Sequence, residues 1–174
     1  MPSFQGEFDG LCGMYAVANA FEVCGHEDTE DFFRVACACI PKNRWPEVLW
    51  EGVTFPDMKK MVRACIREYT LNPAIELGFP FEENPPKSNA EFWQRFDDIF
   101  SDDNVICGII GQTKPDIHWI VITRDSVRRL TFHDSTVDRP FVTKNRASLY
   151  AGERRQNPNQ WLIDRRELIT FTIA

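Results

Sequence analysis

Nowhere does the chain come near the roughly 18 consecutive apolar residues that a membrane-spanning helix needs. Its opening, MPSFQGEFDG, carries no basic segment followed by an apolar run. Neither a membrane partner nor a secretory leader is expected, and the sequence reads as cytoplasmic. Concentrated positive charge is also missing. Lysine and arginine are scattered, with only short pairs such as Arg128/Arg129 and Arg165/Arg166, and the formal net charge is -6, which disfavours nucleic acid as the main partner. Internal repeats and low-complexity tracts are absent. No C-x₂₋₄-C or H-x₃₋₅-H spacing suggests zinc, and the scatter of Asp97, Asp98, Asp102 and Asp103 does not match a calcium loop. No metal or organic cofactor is called for. The six cysteines (12, 24, 37, 39, 65 and 107), without a leader to an oxidising compartment, read as reduced thiols.

What is present is a soluble, globular composition, 43% hydrophobic and 26% charged, in a chain of one-domain size spanning 1–174. Its texture changes near residue 103. Before that point the apolar residues recur at helical spacing. Cys12 to Cys24 is apolar on nearly every side and is followed by Gly25 as a C-cap, the pattern of a buried helix. Thr29 to about Ile40 reads as a second helix. A third follows Thr54, with Pro56 in its first turn and Met58, Met61, Val62, Cys65, Ile66 and Tyr69 in sequence. Ser88 with Glu91 is a capping-box pattern opening a fourth. Later, Val105–Ile110, Ile117–Thr123 and Arg128–Asp134 are short, β-branched and bounded by turn formers, so they read as strands, with further ones at Phe141–Thr143 and Leu168–Ile173. The polar stretch 144–160 reads as a surface excursion. The expected class is α+β, with a helical half over about 1–103 and a mostly antiparallel sheet half over about 104–174.

Chemistry enters through the strand pair IHWIVIT and RRLTFHDS. A turn centred near Ser126 pairs Ile122 with Leu130, Ile120 with Phe132 and His118 with Asp134. That places one apolar strip on a single face with a histidine and a carboxylate at its open end. Directly opposed side chains stand about 4.5–5.5 Å apart at Cβ, close enough for Asp134 to hold the imidazole. A one-residue slip would turn the apolar strip to solvent, so burial favours this register, and it sends His133 to the other face, opposite Trp119. Asp116, Asp125 and Asp138 are the alternatives to Asp134 if the register differs.

The second contributor is residues 5–19, QGEFDGLCGMYAVAN. A thiol in the first turn of a helix feels the positive end of the helix dipole, and an imidazolium beside it favours the thiolate that performs nucleophilic attack. Gly10 and Gly13 are expected to leave room for a substrate carbonyl. The Cys12 N–H, pointing outward at the helix start, and the side-chain amide of Gln5 are candidate donors to an oxyanion. Asp9 is a further candidate for shaping the site, and Trp119 either shields the His/Asp hydrogen bond or simply packs.

QGEFDGLCGMYAVAN, then DIHWIVI, then FHDST, in the order Gln5, Cys12, His118, Asp134, resembles the papain-like cysteine peptidases, and the acidic third member is closest to the C39-like branch. Six residues separate Gln5 from Cys12, where that family usually has five. The resemblance implies a papain-like fold with its active site in a cleft between a helical and a sheet half. It also implies a peptide or protein substrate and a Cys-His-Asp triad working through a thioester. The same triad would serve a deamidase, an acyltransferase or a transglutaminase-like enzyme. A fold retained as an inactive interaction module is the remaining alternative.

Overall fold

A computed structural model of the chain describes residues 10–71, 73–135 and 141–174. Among them are five α-helices and one seven-stranded sheet, antiparallel at every pairing but one, so the α+β class is observed. The elements in chain order are α1 (Cys12–Val23), α2 (Thr29–Ala38), α3 (Trp45–Glu51), α4 (Phe55–Glu68), β1 (Ile75–Gly78), α5 (Asn89–Ile99), β2 (Val105–Lys114), β3 (His118–Ser126), β4 (Arg129–His133), β5 (Val142–Asn145), β6 (Leu149–Ala151) and β7 (Trp161–Ile173).

The helix starts follow their local chemistry. Thr54 caps α4 reciprocally: its hydroxyl accepts the Asp57 N–H, and the Asp57 carboxylate accepts the Thr54 N–H at 3.1 Å. Ser88 accepts the Glu91 N–H at 3.1 Å to open α5. Gly52 ends α3 at φ 76, a left-handed backbone that a side chain would strain.

Strand order is β1-β7-β2-β3-β4-β5, with β6 running parallel to β7 beside its first residues. The sheet is the middle layer of the molecule, not one half packed against another. Alternate residues of its strands point into two different cores. Cys107, Ile109, Val121, Ile169 and Phe171 meet α1, α2 and α4. Ile110, Ile120, Ile122, Leu130, Phe132 and Leu168 meet the aromatic face of α5, formed by Phe92, Trp93 and Phe96. The sequence division near residue 103 is therefore crossed twice: β1, from the helical part, pairs with β7 in the sheet, and α5 covers the face away from the other helices. Phe21 knits the first core, stacked on Phe32 at 4.3 Å and edge-on to Phe171 at 5.4 Å. Burying a side chain of this size contributes about 1.5–3 kcal/mol.

The stretch 144–160 is not a simple excursion, since it holds a 3₁₀ turn at Arg146–Ser148 and β6, whose Leu149 and Ala151 are buried. All six cysteines are free, and the Cys24 and Cys107 sulfurs touch at 4.0 Å without a bond.

The β3–β4 register differs from expectation by two residues. Val121 pairs with His133, Ile122 with Phe132 and Thr123 with Thr131, because the turn tightens around Val127 and Arg128 with an irregularity between Arg124 and Ser126. A shift of two keeps every side chain on its face, so the apolar strip survives. Asp134 lies just beyond the end of β4, diagonal to His118 instead of directly opposite it.

Candidate functional site

Cys12 is the first residue of α1, which has no side-chain cap among the described residues; Leu11 O takes the amides of Met14 at 2.9 Å and Tyr15 at 3.1 Å. The positive end of the α1 dipole therefore bears directly on the sulfur. The thiol is buried, with Sγ 3.9 Å from Gly10 O.

His118 opens β3, and its ring joins the two other residues. Nε2 is 2.9 Å from the Asp134 Oδ1, and the ring lies near enough to the Cys12 side chain for the sulfur to act on its charge. With Nε2 committed to the carboxylate, Nδ1 is the nitrogen left for the sulfur. Burial works against charging this imidazole, yet the hydrogen bonds and negative charges of Asp134 and Cys12 outweigh it and push the ring up to about 9. At neutral pH it is an imidazolium held between two partners. Cys12, His118 and Asp134, 122 positions apart at the extremes of the sequence span, thus meet in one place.

His133 does not compete. It pairs with Val121 on the other face, is 3.5 Å from Thr123 Oγ1 and feels the charge of Glu22, ten residues along α1 from Cys12, or about 15 Å of helix. Asp125 is engaged elsewhere, accepting from Thr131 Oγ1 at 2.7 Å. Gln5, Asp9 and Asp138 lie outside the described residues.

These three residues border a cavity of about 870 Å³. One wall is Trp50, Glu51, Gly52 and Val53, the end of α3 and the link to α4; another is Pro115, Asp116 and Ile117, the turn leading into His118. Trp119 joins the sheet to the first wall. Its indole N–H donates to Val53 O at 2.9 Å, and its ring stacks on Phe55 at 6.1 Å. Of the two roles expected for Trp119, packing that fixes the wall is the one observed. The wall is braced further by Asp57, which accepts from Arg44 at 2.9 Å and from the Thr54 hydroxyl at 2.8 Å.

Both flanking glycines serve packing. A Cβ on Gly13 would overlap the Val53 Cγ2 methyl and meet the Met58 sulfur at 2.9 Å, and one on Gly10 would come within 3.1 Å of backbone atoms of Val48, Leu49 and Gly52. Gly10 N–H also donates to Leu49 O at 2.7 Å, tying the entry of α1 to α3. The expectation that Gly10 and Gly13 make room for a substrate is met in part: Gly10 lines the cavity beside Cys12, whereas Gly13 lets the nucleophile's helix sit tight against the cleft wall.

Gln112 is a residue that the sequence pattern did not single out. It is the cross-strand partner of His118, 5% exposed, and lines the cavity. Its Nε2 donates to Asp116 O at 3.2 Å, pinning the turn before His118, while its Oε1 is buried with no partner among the described residues. The only signal available beforehand was a polar residue interrupting the apolar run of β2. Trp161 completes the far side, and behind it the Lys144 ammonium sits 3.7 Å from the centre of the Trp161 ring, with burial pulling its pKa down against the opposing charge of Asp134.

None of the described helices is long and apolar enough to cross a membrane, and no group of three or more His, Cys, Asp or Glu among the described residues is arranged to hold a metal ion. No protein-family model matches this chain, and neither does any curated protein or solved structure.

Proposed function

We propose that the protein is a papain-like cysteine hydrolase that cleaves a peptide or isopeptide bond through Cys12, His118 and Asp134. The observation that carries this proposal is the bridging imidazole, bonded through Nε2 to Asp134 at 2.9 Å while facing, in the same cavity, the Cys12 thiol at the start of a helix. A nucleophile, a base and an orienting acid in this order are what thioester chemistry needs.

In the first half-reaction the Cys12 sulfur attacks the substrate carbonyl carbon and a C–S bond forms, while the carbonyl electron pair moves to oxygen. The Cys12 N–H, in the first turn of α1, is the donor offered to that oxyanion, with Gln5 as the second donor implied by the family resemblance. Collapse of the adduct breaks the C–N bond, and the leaving nitrogen takes the imidazolium proton. In the second half-reaction His118 takes a proton from water as its oxygen attacks the thioester. The C–S bond then breaks, the acid departs, and the thiolate–imidazolium pair is restored. Asp134 keeps the ring oriented throughout and balances its charge.

Incubation with a complex peptide mixture in ¹⁸O-water tests the proposal. Hydrolysis should place ¹⁸O in new carboxyl termini, and Cys12→Ala and His118→Ala should each abolish those products while the far-UV spectrum stays native. Identical product sets from wild type and Cys12→Ala would exclude the mechanism.

A further inference from the structure

Apart from Cys12, the cysteines have no part in the proposed chemistry, and two of them lie against each other. Cys24 and Cys107 stand 83 positions apart in the chain, yet their sulfurs are in contact at 4.0 Å. One carbonyl gathers both residues. Cys24 is the C-cap of α1, and its N–H donates to Ala20 O at 3.1 Å; Cys107, near the start of β2, directs its S–H to the same oxygen at 3.7 Å. A buried cysteine by itself is ordinarily an inert packing residue. Two sulfurs already touching have a chemistry that neither has alone: a disulfide bond of about 2.0 Å needs them to close by about 2 Å, and each swings on its own χ1 torsion.

Access to the two thiols is unequal. Cys107 is 0% exposed, packs in the core with Ile109 and Phe171, and is held well above its ordinary pKa by burial. Cys24 is 6% exposed at the end of its helix, where Gly25 at φ 91 turns the chain away, and the last turn is the part of a helix that opens most readily. An oxidant therefore meets Cys24 first, with Cys107 behind it as the resolving thiol.

We infer that Cys24 and Cys107 are an oxidation site, a dithiol that a low-molecular-weight disulfide converts into a reversible crosslink between the end of α1 and β2. The Cys24 thiol gives its proton to water and its sulfur attacks one sulfur of the small disulfide; that S–S bond breaks, and the first small thiolate leaves and takes a proton back from water. The Cys107 sulfur then attacks the Cys24 sulfur, the mixed disulfide breaks, and the second small thiol departs with the Cys107 proton. Two cysteine thiols are oxidised and one small disulfide is reduced to two thiols. The ring so closed contains α2, α3, α4, β1 and α5, which all lie between the two cysteines, and tying off so long a loop restricts the unfolded chain. Neither Cys12 nor His118 takes part, so this site stands or falls independently of the hydrolase proposal.

The test exposes the intact protein to oxidised glutathione, quenches it with N-ethylmaleimide in denaturant and maps the products by peptide mass spectrometry, with fragment ions separating Cys24 from Cys12 on the tryptic peptide they share. A Cys24–Cys107 linked pair, lighter by two hydrogen atoms than the separate peptides, should accumulate and should vanish with dithiothreitol. The oxidised protein should melt about 10 °C above the reduced one. Cys24→Ser, at the helix end, and Cys107→Ala should each lose both the link and the shift. Cys24 recovered as a free thiol, joined only to glutathione or joined to another cysteine would overturn the inference, as would a melting temperature that does not rise with the crosslink or that rises equally in Cys24→Ser.

Discussion

Replacing Asp134 by Ala removes the only described partner of His118 Nε2 and a nearby negative charge. A hydrogen bond to a charged group is worth about 1.5–3 kcal/mol, which corresponds to about one to two pK units. The His118 ring, held at about 9 in the native protein, should then titrate one to two units lower. The protein is well suited to the measurement, since it has three histidines. Burial lowers His26 and His133 below their ordinary value, so His118 is the one ring expected to titrate on the alkaline side. Long-range ¹H–¹⁵N spectra of the imidazoles across pH 5 to 10 read all three directly. Stability must follow. The folded value lies above the ordinary 6.5, so the contribution of protonated His118 is fully present below pH 6.5 and is lost as pH rises through about 9. Its size is about 3 kcal/mol. Urea midpoints should therefore fall across that window in wild type and fall less in Asp134→Ala. Three histidines all titrating below pH 7, or an alkaline titration unchanged by Asp134→Ala, would refute the bridged imidazole.

Two other predictions concern the cleft and the sheet behind it. Gly13→Ala should destabilise the protein by about 1–3 kcal/mol in chemical denaturation, because the new methyl overlaps Val53 and Met58; an unchanged midpoint would mean that α1 does not pack against the wall as described. Glu167 lies over Gly111 with its carboxyl pushed up to about 7, by burial first and the charge of Asp164 second. Its folded value is above the ordinary 4.5, so the fold favours the protonated form and loses stability as pH rises through about 7. Glu167→Gln should raise Tm at pH 8 and change it little at pH 5, and an equal shift at both would contradict this.

How far the sequence anticipates the structure depends on whether a signal is local. The helices α1, α2, α4 and α5 carry their own periodicity, α4 and α5 their own N-caps as well, and each falls where the pattern puts it. Helix α3, at seven residues with Pro46 in its first turn, is too short to establish a period. Strands β1 and β6 have four and three residues and acquire their identity only by pairing with β7. The same holds for β2 and β7, which run on past their β-branched segments. The register between β3 and β4 shows how parity protects a prediction. The turn is centred one residue beyond the expected position, which shifts the register by two, yet His118 and Asp134 still meet because a two-residue shift returns each side chain to its face and Asp134 lies just beyond the end of β4. The cleft walls and Gln112 were not legible, because nothing in one linear sequence says that residues near 50 and 112 will line the same cavity.

The pairing of Cys12 with His118 is tested most directly by the rate at which each cysteine takes up iodoacetamide at pH 7, mapped by peptide mass spectrometry in wild type and His118→Ala. Cys37 and Cys39 are the more exposed thiols, but burial holds both above their ordinary pKa, Cys37 at about 11, which leaves them slow. Buried Cys12 should be labelled ahead of them and should slow about hundredfold in His118→Ala. Labelling of Cys12 no faster than of Cys37 and Cys39, or at the same rate without His118, would contradict the account.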